Sequence, residues 1–281
     1  MLSWKIGDVT VTRVVEMETT SISRFVLPQA EPEIVRGIDW LSPHFLDEEG
    51  VLVLSIHSLL VETPDQRILV DTCVGNDKER RFREWNKLQN SFLEELELAG
   101  ALRQSVDVVL CTHLHVDHVG WNTMLLEDRW VPTFPNARYL FGREEWDYWK
   151  DQPEDAGPVI TDSVRPVFEA GQVDLVETDH RLSDEVSLQA TPGHTPGHVS
   201  VWIRSRGEEA VITGDMIHHP CQMAHPEWSA SVDFDQDQSR ATRLDFLQSC
   251  ADEPVLVIGS HFAGPTAGRV VRDGEVYRLD F

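Results

Sequence analysis

The stretch that most limits what this chain can be is Val106-Asp107-Val108-Val109-Leu110-Cys111, running straight into Thr112-His113-Leu114-His115-Val116-Asp117-His118. A short apolar run bounded by polar residues reads as a buried strand. Three histidines and an aspartate follow it within six residues. A sharp turn lets His113 and His115 converge, while Asp117 and His118 face a neighbouring point about 3–4 Å away, the spacing of paired catalytic metals. Imidazole and carboxylate are donors that zinc, iron, manganese and cobalt accept. The stretch therefore asks for a fold that buries a strand and gathers further ligands at its end.

The second half supplies candidates in similar settings. Thr191-Pro192-Gly193-His194-Thr195-Pro196-Gly197-His198 follows a strand expected at 186–191, Thr213-Gly214-Asp215 one at 210–213, and Gly259-Ser260-His261 one at 255–258. Loops at the ends of several strands can point into one crevice. Elsewhere the pattern predicts a strand over 6–15 and a hairpin of 51–62 with 67–70 that ends at Asp71. It predicts a helix over 78–100 through Phe82, Trp85, Leu88, Phe92 and Leu96, stopped by Gly100. Strands at 138–141, 173–177 and 199–203, helices at 144–150, 159–169 and 237–250, and a closing hairpin over 269–279 complete the reading. That order does not alternate as a simple Rossmann fold does. It fits an α/β chain built as an αββα sandwich, two mixed β-sheets with outer helices. No Gly-, Pro- or Ser-rich linker divides it, so residues 1–281 read as a single domain. Residues 1–50 form an N-terminal extension, whose irregular but apolar 20–50 stretch would cover a pocket or a dimer interface.

Charge narrows the partners. Lys plus Arg total 24 against 48 Asp plus Glu, a net charge of −24. Such a surface repels phosphate backbones and anionic lipid, which argues against a nucleic-acid partner. No run approaches the ~20 apolar residues of a membrane span, and the first residues turn polar too early for a signal peptide. Cys73, Cys111, Cys221 and Cys250 include no CxxC pair and suggest a reduced, cytoplasmic setting. Cys111 ends a buried strand and is expected to pack.

HxHxDH at 113–118, PGHTPGH at 192–198, TGD at 213–215 and GSH at 259–261 together resemble the metallo-β-lactamase superfamily of hydrolases. The resemblance spans about residues 50 to 265. It implies that His113, His115 and His194 hold one metal ion, that Asp117, His118 and His261 hold a second, and that Asp215 bridges both together with a hydroxide. Asp117 and Asp215 would be the catalytic carboxylates, Asp117 also shuttling a proton to the leaving group. His198, Asp71, Thr112 and Thr195 would support the ligands from behind. The ions would be two divalent metals, zinc foremost, with iron, manganese or cobalt as alternatives.

A flavodiiron-type oxidoreductase would carry glutamate where His115 stands, and the RNA-processing nucleases add a basic domain that this chain lacks. The chain is most similar to the methyl parathion hydrolase-like and N-acyl homoserine lactone lactonase branch. That similarity implies hydrolysis of a small apolar carboxylic ester or lactone; separately, the apolar 20–50 stretch and the general frequency of two-fold oligomers favour a homodimer. Phosphotriester or thioester hydrolysis and a non-catalytic metal-binding role are the alternatives. Where many relatives continue with Gly-Gly, this chain has Val119-Gly120-Trp121-Asn122. Trp121 is therefore expected to wall a substrate pocket together with Phe25, Phe45, Leu46, His218, Trp228 and Phe262.

Overall fold

The computed structural model describes all 281 residues. They form two compact units, residues 1–16 with 56–178, and residues 17–55 with 179–281. The first unit is built on β1 (Ser3–Ile6), β2 (Val9–Thr19), β3 (Leu54–Glu62), β4 (Arg67–Val70), β5 (Val108–Leu110), β6 (Thr123–Leu126), β7 (Arg129–Pro132), β8 (Arg138–Gly142) and β9 (Val173–Val176). β6 and β7 pair as a separate hairpin, and the others form a mixed sheet in the order β1-β2-β3-β4-β5-β8-β9. β5 lies between the parallel strands β4 and β8, with Val109 opposite both Leu69 and Tyr139. All three of its residues are buried, which is why its sequence is continuously apolar rather than alternating.

Because β4 and β5 run parallel, Asp71 and the 111–118 loop leave the sheet from the same edge. Asp71 takes a left-handed conformation (φ 56°), uncommon for a residue with a side chain and characteristic of functional turns. The segment after it is laced to the segment after His118. Thr72 N donates to the His118 carbonyl (2.8 Å), Gly120 N to that of Cys73 (2.8 Å) and Trp121 N to that of Thr72 (2.7 Å). A Cβ on Gly120 would stand 1.9 Å from the Val74 carbonyl oxygen, so this close approach requires glycine.

The second unit carries β10 (Val186–Ala190), β11 (Val199–Ser205), β12 (Glu208–Ile212), β13 (Val255–Ile258), β14 (Ala267–Asp273) and β15 (Val276–Asp280), in that order across a mixed sheet. β11 is antiparallel to both β10 and β12, and β12 is parallel to β13. So β10, β12 and β13 share one direction, and the loops bearing His194, Asp215 and His261 all follow carboxyl ends of like-directed strands. The helix Gln236–Cys250 starts where expected, its first turn capped by the Asp235 carboxylate accepting from Gln238 N at 2.9 Å. Within residues 20–50 only short helical turns form, at Ser23–Val26, Pro32–Val35 and Asp39–Leu41. Leu27, Val35, Leu41 and Phe45 anchor this segment with no exposed surface.

One expected element is different. Residues 78–100 are not a single helix: a 3-10 turn covers Arg83–Trp85, and an α-helix only Phe92–Leu98. Polar side chains capture the backbone that a helix would need, Asn86 Oδ1 accepting from Arg80 N (2.9 Å) and Asn76 Oδ1 from Asn90 N (2.8 Å). The initial strand is likewise a hairpin, Ser3–Ile6 with Val9–Thr19, and the β6–β7 hairpin lies where no strands were expected. No helix is long and apolar enough to cross a membrane.

Candidate metal centre

In the first unit, Asp71 organises the histidine loop. Its Oδ1 accepts from Thr112 N (2.8 Å), and Thr112 Oγ1 lies 3.1 and 2.9 Å from its two oxygens. Thr112 Oγ1 in turn meets His113 Nδ1 (3.1 Å), and His118 Nδ1 meets Asp71 Oδ2 (2.9 Å). With each Nδ1 tied back, Nε2 is the nitrogen left to ligate on both rings. The His113 ring centroid lies 4.7 Å from that of His115 and 4.0 Å from that of His118, and Asp117 Oδ1 is 3.8 Å from His118 Nε2. Asp71 and Thr112 thus contact the His118 and His113 rings at Nδ1. Sequence reasoning missed Glu145, a buried carboxylate whose Oε1 accepts from Leu114 N (3.1 Å) and Trp149 Nε1 (2.6 Å), while the Trp149 ring meets His115 edge-on at 5.1 Å.

Trp121 is buried, stacked on Phe92 (5.4 Å, 21°), with its Nε1 donating to Glu16 Oε1 (2.7 Å), and it lines a cavity together with Asn76, Asn90, Leu93 and Met124. Glu16 also accepts from Val74 N (2.8 Å) and Gly75 N (3.1 Å), tying β2 to the loop beyond Asp71. Burial lifts its pKa to about 7, with the Asp117 charge adding to the rise and the N–H donors working against it. Between about 4.5 and 7 the folded chain holds a proton that the unfolded chain releases, so this group's contribution to stability falls as pH rises through that window. In metal-free protein, Glu16→Gln is expected to flatten the fall in unfolding temperature between pH 5 and 7. Parallel curves for the two proteins would rule this out.

In the second unit, Asp215 is surrounded by imidazoles. Its Oδ2 lies 3.3 Å from His194 Nε2 and 3.3 Å from His218 Nε2, and its Oδ1 lies 3.0 Å from His261 Nε2. Its backbone N donates to His198 Nε2 (2.8 Å), and His198 Nδ1 is held by Thr191 through Oγ1 (2.8 Å) and the carbonyl (3.0 Å). His198 thus links the Asp215 backbone to Thr191. The far nitrogens of both flanking imidazoles are occupied, His194 Nδ1 by Asp233 Oδ1 (2.9 Å) and His261 Nδ1 by the Ser55 carbonyl (2.9 Å). Burial opposes a charge on His194, but Asp215 and Asp233 outweigh it and carry its pKa up to about 9. His218 is drawn the other way by burial, its pKa lowered. Thr195 is buried, and its hydroxyl makes no hydrogen bond. Asp233 lies in Ser231-Val232-Asp233-Phe234-Asp235, a stretch that shares in the family resemblance, but without ligand-like spacing the sequence assigns it no role.

The remaining pocket candidates divide. Phe45 and Phe262 have no exposed surface; Phe45 meets His219 and Phe281 edge-on, and the Phe262 ring fills the space a Cβ on Gly259 would need. Both rings pack within the second unit. Leu46 is buried, and Trp228 is buried beneath a stacked His225 (4.0 Å, 4°). Phe25 is exposed, and His218 stands at Asp215.

Each unit thus presents a cluster of metal-ligating groups at the carboxyl ends of its strands, in which His118, His194 and His261 are held through Nδ1 and carry Nε2 toward a carboxylate. That donor chemistry fits divalent metal ions and defines a metal-dependent hydrolase class of site. Residues 51–261 match the family described as the metallo-beta-lactamase superfamily, and the chain belongs to it. It is 30% identical over 120 residues to the probable metallo-hydrolase YflN of Bacillus subtilis, an alignment covering 39% of this chain and 44% of that protein. The chain thus spans less than half the length of that relative. The structure is similar to that of the hydrolase AbOPH of the beta lactamase superfamily (TM-score 0.80, 23% identity, covering 99% of this chain and 96% of the other). It is also similar to AidC, a dizinc quorum-quenching lactonase (TM-score 0.79, 22% identity, 99% and 96%). These likenesses show the fold that the sequence resemblance implied, an α/β sandwich of two mixed sheets flanked by helices.

Proposed function

We propose that this metal-dependent hydrolase works with two metal ions and cleaves small apolar carboxylic esters or lactones. His113, His115 and His194 would hold one ion, Asp117, His118 and His261 the other, and Asp215 both. One observation carries the reading: the two oxygens of Asp215 face different imidazoles, Oδ2 toward His194 and Oδ1 toward His261, which places the carboxylate between the two proposed ligand sets. When bound, the ions would act as Lewis acids and lower the pKa of the attacking water. Asp117 would carry the proton to the leaving oxygen, and His218, with its Nε2 3.3 Å from Asp215 Oδ2, would face the substrate. The lactonase activity of AidC supports the substrate class.

The finer points follow from the same chemistry. The His/Asp donor set suits zinc, the four free, buried cysteines suit a reducing cytoplasm, and exposed Phe25 and Ile34 favour a homodimer formed through the 20–50 segment. The test is a panel of lactones, carboxylic esters, thioesters and phosphotriesters, assayed before and after chelation and after return of zinc. Lactone or ester turnover is expected to vanish with chelation and return with metal. Turnover that survives complete metal removal, or no turnover on any substrate of the panel, would overturn the reading.

A further inference from the structure

We infer that Asp233 is a positioning residue that fixes His194 for metal binding, and that the N-terminal segment 25–29 holds its loop in place. The inference rests on the reading of His194 as a ligand given above. His194 Nδ1 and Asp233 Oδ1 are 2.9 Å apart, and neither side chain has exposed surface. Asp233 Oδ2 accepts from Ala230 N (2.9 Å), so both carboxylate oxygens are engaged and the group cannot rotate freely. A carboxylate accepting the Nδ1 proton fixes the tautomer, aims Nε2 at the ion and raises its basicity. Here Nε2 points toward Asp215 Oδ2, 3.3 Å away.

The backbone reinforces the pair. Phe234 N donates to the His194 carbonyl (3.0 Å) and Asp235 N to that of Gly193 (2.9 Å), so the two loops are joined directly beside the ligand. Gly193 (φ 129°) allows this approach, since a Cβ there would lie 2.3 Å from Ser239 N. On its other side, the 229–235 loop is fastened to the N-terminal segment. Ser231 N donates to the Val26 carbonyl (2.8 Å), Ser231 Oγ to that of Phe25, and Gln29 Nε2 to that of Ser229 (3.2 Å). The 20–50 stretch, which has little regular structure of its own, thereby braces the loop behind a metal ligand.

The experiment compares zinc(II) binding to wild type, Asp233→Asn, Asp233→Ala and Gln29→Ala by graded competition with a chromophoric chelator, with bound zinc counted by elemental analysis and folding followed by thermal unfolding. Wild type should hold two ions. Asp233→Ala should bind one of them about tenfold to a hundredfold more weakly and leave the other unchanged. Asp233→Asn, which keeps the shape but turns an amide NH2 toward either Ala230 N or His194 Nδ1, should show a loss in the same ion; it carries the test if the alanine variant does not fold. Gln29→Ala should show a smaller loss confined to that ion. A purely structural role would lower the unfolding temperature without singling out one ion. A folded Asp233 variant with wild-type affinity for both ions overturns the inference, whereas wild type that binds fewer than two ions overturns the two-metal reading on which it stands.

Discussion

Replacing Asp215 with alanine is expected to lower kcat/KM on any lactone or ester the wild type cleaves by about a thousandfold or more, the scale seen when a group that organises reacting charge is removed. Three imidazole nitrogens lie within 3.3 Å of its two carboxylate oxygens, so no neighbour can take its place without moving a ring. Asparagine should fare little better, because one oxygen becomes an NH2 that cannot accept from an imidazole or bind a cation. The fold should survive either change. His194 and His261 keep their outer partners, Asp233 and the Ser55 carbonyl, and the bond to His198 is made by the Asp215 backbone. Steady-state kinetics beside thermal unfolding separates the two effects. A folded alanine variant retaining more than a tenth of the activity would remove Asp215 from the chemistry.

Asp162→Ala should cost stability rather than chemistry. Asp162 lies buried between two cations that are themselves buried, Arg80 in a two-pronged pair (2.7 and 3.0 Å) and Lys78 at 3.6 Å. Burial lowers the Lys78 pKa to about 7 against the pull of Asp162, so that lysine can shed its proton once the carboxylate is gone. Arg80 cannot, and removing one partner of a buried pair costs roughly 3–5 kcal/mol because the other charge is left uncompensated. The unfolding temperature should fall on the order of 10 °C. A shift of only a degree or two would show that water or another group replaces the carboxylate. Double replacement with Arg80→Met should recover part of the loss, which a lost packing contact would not.

What could be read from the sequence, and what could not, follows from where each residue finds its partner. The histidine loop was legible because an apolar strand and its ligands are contiguous, and β5 is buried on both sides as such a run demands. The same holds for His194, Asp215 and His261, each directly behind a strand of the second sheet. Their supports were legible only when close in sequence or familiar in pattern, as Asp71, Thr112 and His198 were. Asp233, Glu145 and Glu16 act across 39, 31 and 105 positions, on His194, Leu114 and Trp121. Single acidic residues at such distances look like any other surface charge. The helix expected over 78–100 failed for a related reason. Phe82, Trp85 and Leu88 have helical spacing, but Asn76 and Asn86 bind the backbone first, and Lys78 and Arg80 turn inward to Asp162. Aromatic residues raised the same difficulty: Trp121, Phe45 and Phe262 are all buried, and apolar bulk alone does not distinguish a pocket wall from core packing.

The Nδ1 atoms of His118, His113, His194 and His261 are held by Asp71, Thr112, Asp233 and the Ser55 carbonyl. A ring tethered at one nitrogen has little rotational freedom left to lose when its other nitrogen takes a cation, so such tethers lower the entropic cost of binding.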